Sequence, residues 1–437
     1  MKFIEVILLL INNEQLKVLA LTHAQLNSNG LSPVSCERAD GFVFAWVTRC
    51  KWQVDIIYTE GTIWAGPWAD GVGLPVNVIH VSPTDLIFQS ESFRFQIKFY
   101  LRALKFKQFF LLLIERFYSQ MCFYFPLPKL PFFKARLWAN KVVRKLHTDY
   151  DLIFVSSGRG DEYLLETGYR LSKLISAPLV IDFRDLFSEH HDKSRFNEVQ
   201  RRNFKNFELK VFKRTLLIST PQAQDVELLS AYATPPVVQV PHSYYILPEW
   251  EQNLEAPTEF VVSYAGKLYS DSDGYKLFLD FIKIINSKYK KVFFKVFTNE
   301  VNVINTDIKK YDLTNISVFS WQTPDLIWRE MRKSRLSLIY NSSVAEGRNL
   351  LPTKAIMSAA TGNSVLFLFS YYDKAVAGFL ATYNCGGQFT TIDKAIEWFE
   401  ELYKKSDLTI KQINLSLPER MEVGYNFGLS IEMALRN

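Results

Sequence analysis

Short apolar runs alternate with longer amphipathic stretches along this sequence, and the alternation limits how the chain folds. Buried strands of parallel sheets have this length and apolar character, and helices connect them. The pattern predicts an α/β fold. The predicted strands are 18–22, 54–58, 76–81, 152–156, 179–183, 215–219 and 237–240, followed by 260–265, 292–298, 316–320, 336–340 and 364–368.

A break in this pattern divides the chain. Between residues 241 and 257, prolines, Trp250 and acidic residues interrupt the periodicity before a new strand begins. A chain of 437 residues is also too long for one hydrophobic core, since cores stop growing near ~250–300 residues. We therefore predict two doubly wound domains, 1–245 and 257–415. No short-period repeat is visible.

The cysteines and the N-terminus favour a reducing cytoplasm. Cys36, Cys50, Cys122 and Cys385 are scattered without the spacing of a metal or redox motif. The apolar run 6–11 is too short for a signal-peptide core, and an acidic residue precedes it. We expect this run to be an appendage or an early strand.

The segment 93–145, here called the basic aromatic segment, concentrates positive charge. It holds twelve Lys/Arg against one acid, whereas the whole chain carries a net charge of +6. Fifteen aromatic residues lie in the same segment. Basic charges and rings together favour contact with an anionic membrane surface. The alternative is a core with a solvated face. Nucleic-acid binding is a weaker third interpretation, because no RNA- or DNA-binding module is present.

Two lysines follow strand ends in the second half. In Pro352-Thr353-Lys354, a cation stands at the start of a predicted helix, where the helix dipole favours a diphosphate such as that of a sugar nucleotide. Gly266 lets the backbone approach a phosphate, and Lys267 adds charge beside it. We expect both lysines to face the ligand without a structural partner. The alternatives are a helix start with a solvated lysine and an ordinary turn.

The motif Asp182-Phe183-Arg184-Asp185 ends a predicted strand in the first half. Ligands of doubly wound folds bind at such strand ends. Asp185 is suited to accept a hydroxyl proton, and Arg184 to pair with a phosphate or carboxylate. Alternatively, Arg184 forms an internal ion pair with Asp182 or Asp185.

Four blocks of the sequence resemble a known family, the bacterial GT-B glycosyltransferases of the large retaining family that builds lipopolysaccharide, capsule and exopolysaccharide. The blocks are 150–157, which ends in Ser156 and Ser157, then 177–187 with the Asp-Phe-Arg-Asp motif, then 261–268 with Gly266-Lys267, and 334–362 with the Pro-x-Lys helix. They occur in the family's order across most of the chain.

The resemblance implies a GT-B fold, in which two Rossmann-like doubly wound domains face a cleft. It further implies a nucleotide-sugar donor held by Gly266, Lys267, Arg348, Pro352, Lys354 and Met357, with no cofactor and no metal. Gly30, Ser156 and Ser157 would line the acceptor side, and Asp185 and Arg184 would be catalytic. The implied acceptor is lipid-linked or a saccharide, reached from the inner face of the cell membrane. Segment 416–437 would be a helix that returns to the first domain.

Some positions depart from the family pattern. Met357 stands where the family has a Glu that grips the ribose, and a thioether is a poor hydrogen-bond acceptor. Asp273 precedes Gly274 where a basic residue is usual, and His242-Ser243 replaces Asn-Gly. These departures keep a second hypothesis open, that of a GT-B-like binding or scaffold protein without turnover.

Overall fold

The computed structural model forms two compact units, residues 1–240 with 424–437, and residues 241–423. The structure describes residues 15–21, 34–59, 76–81, 142, 146, 149–158, 162–184, 186, 188, 198–244, 251, 254–270, 272–320, 322–340, 351–405, 413 and 417–436. The run 6–11 and the basic aromatic segment, apart from Val142, lie outside these ranges.

The first unit is built on a parallel sheet. In its described part, seven strands are arranged in the order β3-β2-β1-β4-β5-β6-β7. Strands β4 and β5 are buried along their whole length, because helices cover both faces of a sheet of this kind. The strands are β1 Lys17–Leu21, β2 Gln53–Thr59, β3 Val76–Val81, β4 Leu152–Ser157, β5 Leu179–Phe183, β6 Thr215–Thr220 and β7 Val237–Gln239.

Helices connect these strands. The first ends in a π-helical turn, Trp46–Cys50, which packs Trp46 into the core. The helices of this unit before the second sheet are α1 Val34–Ala45, α2 Glu162–Ile175, α3 Glu198–Phe212 and α4 Ala223–Ser230.

The second unit repeats this architecture with a sheet of six described strands in the order β10-β9-β8-β11-β12-β13. The strands are β8 Phe260–Ala265, β9 Val292–Phe297, β10 Ile316–Phe319, β11 Leu336–Tyr340, β12 Ser364–Leu368 and β13 Gly386–Phe389. The helices are α5 Asp273–Lys288, α6 Val301–Lys310, α7 Pro324–Arg332, α8 Thr353–Ala360, α9 Lys374–Tyr383 and α10 Ile392–Lys405. Alternate residues of β8 and β11, ending in Tyr264 and Tyr340, share one core with α5 and α10.

The last helix, α11 Arg420–Arg436, runs from the second unit into the first. Its Phe427 ring lies 5.1 Å from the ring of Phe42 and 5.9 Å from that of Trp46. The Trp46 indole N–H donates a hydrogen bond to the carbonyl oxygen of Gly424 at 3.0 Å. The residues from Gly424 onward therefore complete the core of the first unit.

The observed strands confirm the α/β fold predicted from the sequence. Each of the twelve predicted strands is present, and each boundary agrees within one residue. Strand β13 was not predicted. The chain crosses between units at Val240/Pro241, at the start of the break 241–257, and again at Val423/Gly424. Among the described helices, none is long and apolar enough to cross a bilayer.

Candidate functional site

The strand order of each sheet marks one place where ligands bind. In each sheet the order of the strands reverses next to the first strand. The reversal lies between β1 and β4 in the first unit and between β8 and β11 in the second. In open α/β sheets, ligands bind beyond the carboxyl ends of the strands at such a reversal. In the second unit, Gly266 and Lys267 follow β8, and the helix that carries Lys354 comes after β11. In the first unit, Ser156 and Ser157 end β4, and Arg184 follows β5.

Gly266 follows the end of β8 at a crowded point. Its backbone N–H donates to the carbonyl oxygen of Phe297 at 3.0 Å. A Cβ atom added here would lie 3.3 Å from the Tyr264 hydroxyl and 3.6 Å from Cδ of Lys354. Glycine is therefore favoured because the backbone, a hydroxyl and a lysine stem converge.

Lys354 has a structural partner, and the expectation that it has none was wrong. Its Nζ donates a hydrogen bond to the carbonyl oxygen of Tyr340, the last residue of β11, at 3.0 Å. The same nitrogen lies 5.1 Å from the ring centroid of Tyr264 and 5.3 Å from that of Tyr340. Since the stem is long, a lysine at the start of α8 reaches back to the strand end.

The ammonium of Lys354 lies in a buried position. Burial lowers the pKa of its ammonium from 10.5 to about 8. Lys267 lies with its Nζ 5.6 Å from the ring centroid of Tyr269. Within the described ranges neither lysine forms an ion pair, and aromatic faces and a carbonyl oxygen stabilise their charges.

Two tyrosines that the sequence analysis missed connect these lysines. The Tyr264 hydroxyl donates to the carbonyl oxygen of Lys267 at 2.8 Å, and the Tyr269 N–H donates to the Tyr340 hydroxyl at 2.8 Å. The Tyr264 and Tyr340 rings stack with centroids 5.4 Å apart. Burial raises the pKa of Tyr264 well above 10, so its hydroxyl remains a donor. The available signal was a tyrosine near the end of two otherwise apolar strands, since a buried tyrosine usually finds a polar partner.

The remaining predicted donor residues have mixed outcomes. Pro352 caps the N-terminus of α8, and its carbonyl oxygen accepts the Ala355 N–H at 2.8 Å. Met357 lies on α8 and is partly exposed. Asp273 begins α5 and pairs with exposed Lys276 at 2.7 Å. Arg348 lies outside the described residues.

In the first unit, Asp182 has a buried partner that the sequence did not reveal. Arg38 of α1 donates to both oxygens of the Asp182 carboxylate, at 2.9 Å and 3.1 Å. Ser156 and Ser219 donate to the same carboxylate at 3.2 Å and 2.8 Å. The alternative in which Asp182 pairs with Arg184 is therefore wrong, because Arg38 takes that place.

Arg184 lies against the end of the neighbouring strand. Its backbone N–H donates to the carbonyl oxygen of Ser157 at 2.8 Å. A Cβ atom on Gly158 would lie 3.1 Å from its Nη2, so the guanidinium rests on the glycine backbone. Ser156 and Ser157 are both buried, and Ser156 contacts Asp182. Asp185 and Gly30 lie outside the described residues.

Hydrogen bonds also hold the chain at Ser188, four residues after Arg184. The Ser188 N–H donates to Oε1 of Glu208 at 3.1 Å, and the Tyr232 hydroxyl donates to Oε2 of the same carboxylate at 3.0 Å. The Glu208 side chain is fully buried. Buried carboxylates at Asp182 and Glu208 therefore hold the segment that carries Arg184 at both ends. In the described part of the chain, His, Cys, Asp and Glu form no group of three or more arranged to hold a metal ion.

Comparisons with known proteins identify the fold. No family model and no curated protein matches the sequence. Among solved structures, an α,α-trehalose-phosphate synthase (UDP-forming) from Burkholderia vietnamiensis matches with a TM-score of 0.55 and 12% identity, covering 97% of this chain and 99% of that one. The lipopolysaccharide outer core galactosyltransferase WaaB matches with a TM-score of 0.56 and 9% identity, covering 95% and 99%.

A third similar structure is assigned as a UDP-N-acetylglucosamine 2-epimerase from Listeria monocytogenes, with a TM-score of 0.52, 12% identity and 95% of each chain covered. The protein thus has the GT-B fold with two Rossmann-like units, as the sequence resemblance implied. Because proteins of this fold include transferases and an epimerase, the residues of the site must decide between reactions.

Proposed function

We propose that the protein is a glycosyltransferase that moves a sugar from a nucleotide-sugar donor to a lipid-linked or saccharide acceptor in surface polysaccharide synthesis. The observation that carries the proposal is the pair of lysines, Lys267 and Lys354, beside Gly266 at the strand reversal of the second sheet. Two ammonium groups that pair with no carboxylate among the described residues suit a diphosphate, and they would stabilise it as it leaves the sugar.

The similar structures support this substrate class. One is a UDP-forming synthase and another a galactosyltransferase of the lipopolysaccharide outer core. By this proposal the donor lies on the second unit, with Pro352, Met357 and Arg348 near it. Asp185 and Arg184 would be catalytic, and Gly30, Ser156 and Ser157 would line the acceptor side. Transfer would proceed with retention and without a metal, as the sequence resemblance implies. The protein would act on the inner face of the cell membrane.

Thermal unfolding with nucleoside diphosphates and nucleotide sugars tests the donor site, because a ligand that binds only the folded state raises the melting temperature. The wild type is expected to be stabilised by at least one nucleoside diphosphate. Lys267→Met and Lys354→Met should each weaken binding by roughly 10- to 100-fold, the loss of one charge-assisted hydrogen bond.

The free Lys354→Met protein should not melt earlier than the wild type, because the substitution removes a buried charge. Lys394→Met, which changes an exposed lysine on α10, is the matched control and should bind normally. If no nucleoside diphosphate or nucleotide sugar stabilises the wild type, the transferase proposal fails.

A binding protein without turnover is the second candidate, and Met357 favours it. The side chain stands on α8 where the family resemblance implies a ribose-binding Glu. Nucleotide binding without sugar transfer to any saccharide or lipid-linked acceptor would select this candidate. Met357→Glu should then strengthen nucleotide binding, because a carboxylate accepts hydrogen bonds from ribose hydroxyls.

A further inference from the structure

We propose that Tyr264 and Tyr340 are positioning residues for the diphosphate of the donor. Their hydroxyls set the backbone of the 266–269 turn, while their rings hold the ammonium of Lys354. This inference rests on the proposed function, and it adds two residues that touch the phosphate-binding groups rather than the ligand.

The hydroxyls fix the turn at two points. Tyr264, in β8, donates to the carbonyl oxygen of Lys267, and Tyr340, at the end of β11, accepts from the N–H of Tyr269, both at 2.8 Å. The two strands flank the reversal of the sheet. Because strands are rigid and the rings are buried, these bonds transmit the geometry of the sheet to the turn that carries Lys267.

The rings fix the second lysine without neutralising it. The Lys354 ammonium lies near the faces of both stacked rings and donates to the carbonyl oxygen of Tyr340. A carboxylate in this place would hold the ammonium more strongly, but it would also repel a phosphate. The negative faces of tyrosine rings attract a cation while leaving its full charge to an incoming anion.

The neighbouring ring of Tyr275 shows what a tyrosine with no part in the turn does in the same core. Its centroid lies 6.0 Å from that of Tyr340, yet its hydroxyl donates to Asp307 of α6 at 2.6 Å. Phe278, which has no hydroxyl, fills the space between these tyrosines. Packing alone therefore does not require the hydroxyls of Tyr264 and Tyr340, whose partners lie in the turn.

The experiment measures binding of UDP, ADP and GDP by calorimetry to the full chain and to three single-hydroxyl variants. Tyr264→Phe and Tyr340→Phe keep the rings near Lys354 and remove one turn contact each. We expect each variant to bind the nucleoside diphosphate that the wild type binds with roughly 5- to 50-fold lower affinity. This is the effect of one lost or unsatisfied hydrogen bond. Tyr275→Phe makes the same chemical change in the same core and should bind as the wild type does.

Thermal unfolding of the free variants separates positioning from stability. A purely structural role would lower the melting temperature of all three variants and leave affinity unchanged once each is measured well below its transition. If Tyr264→Phe and Tyr340→Phe bind like the wild type, the positioning inference is overturned and the proposed function stands. If the wild type binds none of the three nucleotides, the positioning inference and the proposed function are both overturned for donors that carry them.

A double-mutant cycle tests whether Tyr264 acts through Lys267. Combining Tyr264→Phe with Lys267→Met should weaken binding less than the product of the two separate factors, because the hydroxyl has nothing left to position once the ammonium is gone. If the losses of affinity from the two substitutions multiply, Tyr264 does not act through Lys267, and the coupling through the turn is overturned. Tyr275→Phe combined with Lys267→Met should be multiplicative and serves as the control.

Discussion

If the proposed function holds, Lys354 should make nucleotide binding depend on pH. Its pKa in the free protein is about 8 because the ammonium is buried, and an adjacent phosphate would raise that value. Binding should therefore take up a proton above about pH 8, and affinity should fall as the pH rises, approaching tenfold per pH unit. Calorimetry between about pH 7.5 and about pH 9.5, in buffers of different ionisation enthalpy, measures both effects.

The Lys354→Met variant is the control for this titration and should lose the proton uptake. Affinity that stays constant over the same range in the wild type would mean that the ammonium does not contact the anion. The stability of the free protein has a related dependence. Since an unfolded lysine, with a pKa near 10.5, binds the proton more tightly, the free energy of unfolding should rise as the pH increases from about 8 toward 10.5.

The residues of the candidate site differ in how far the sequence could indicate them. Gly266, Lys267 and Lys354 were selected because their type and their place after strands point to phosphate, and their role at a phosphate stays a prediction. Arg38 was not found, since it lies 144 residues before its partner Asp182 and nothing local marks the pair. Tyr264 and Tyr340 were assigned to strands by their apolar neighbours, which gave no sign of how their hydroxyls are used.

At the level of elements, α11 gives a test of the core of the first unit. Phe427 is fully enclosed by aromatic rings, whereas Met433 on the same helix is 65% exposed. Phe427→Ala should lower the free energy of unfolding by about 3–5 kcal/mol, the usual range for a buried phenylalanine. Met433→Ala should change it by less than about 0.5 kcal/mol, as exposed substitutions do.

Denaturant titration of both variants measures the difference. Equal effects of the two substitutions would mean that α11 is not docked through Phe427. Alanine has the highest helix propensity, so both substitutions favour the helix and propensity does not account for a loss of stability in either variant.

Elements were also predictable to different degrees. The apolar residues of α11 recur at every second position, a spacing that does not resemble a helix. Phe427, Ile431 and Leu435 are buried at intervals of four, while Leu429 and Met433 are exposed. Helical spacing is therefore present, but it was hidden by apolar residues on the solvent side.

Strand β13 was missed because of its glycines. A Cβ atom on Gly386 would lie 1.9 Å from the carbonyl oxygen of Val365, so the approach of β13 to β12 requires glycine at this position. Glycine has a low preference for strands, and a short sequence that begins with two of them reads as a turn. The close packing that makes the strand possible also removes its sequence signal.

For the whole molecule, the basic aromatic segment predicts binding to anionic membranes. The wild type should sediment with acidic vesicles at low salt and be partly released as salt is raised, because screening weakens exposed charges. Release should be complete in a variant with four charge reversals, Lys98→Glu, Arg102→Glu, Lys105→Glu and Lys107→Glu. Cosedimentation with vesicles of matched size, with and without anionic lipid, measures the effect.

A variant with the same number of reversals at exposed lysines of the second unit controls for net charge. The positions are Lys276, Lys394, Lys404 and Lys405. If this control is released as fully as the first variant, general electrostatics rather than the basic aromatic segment carries the binding. If the wild type does not bind acidic vesicles, the membrane prediction itself is refuted.

The fold of the whole molecule was the most predictable level. Strand periodicity survives in a chain that shares only 9–12% of its residues with the similar structures. Buried parallel strands need only apolar side chains of suitable shape, and many sequences meet that need. Reaction and acceptor depend on a few polar side chains that the apolar periodicity does not mark, so they are less evident from the sequence.

The return of α11 to the first unit sets an order for folding during synthesis. Residues 241–423 form one uninterrupted unit, so all of its residues are synthesised before Phe427 is. The first unit begins earlier but requires residues from 424 onward to cover Phe42 and Trp46. The second unit is thus the first whose residues are all present in the nascent chain, and the aromatic surface of the first unit stays uncovered until α11 has left the ribosome.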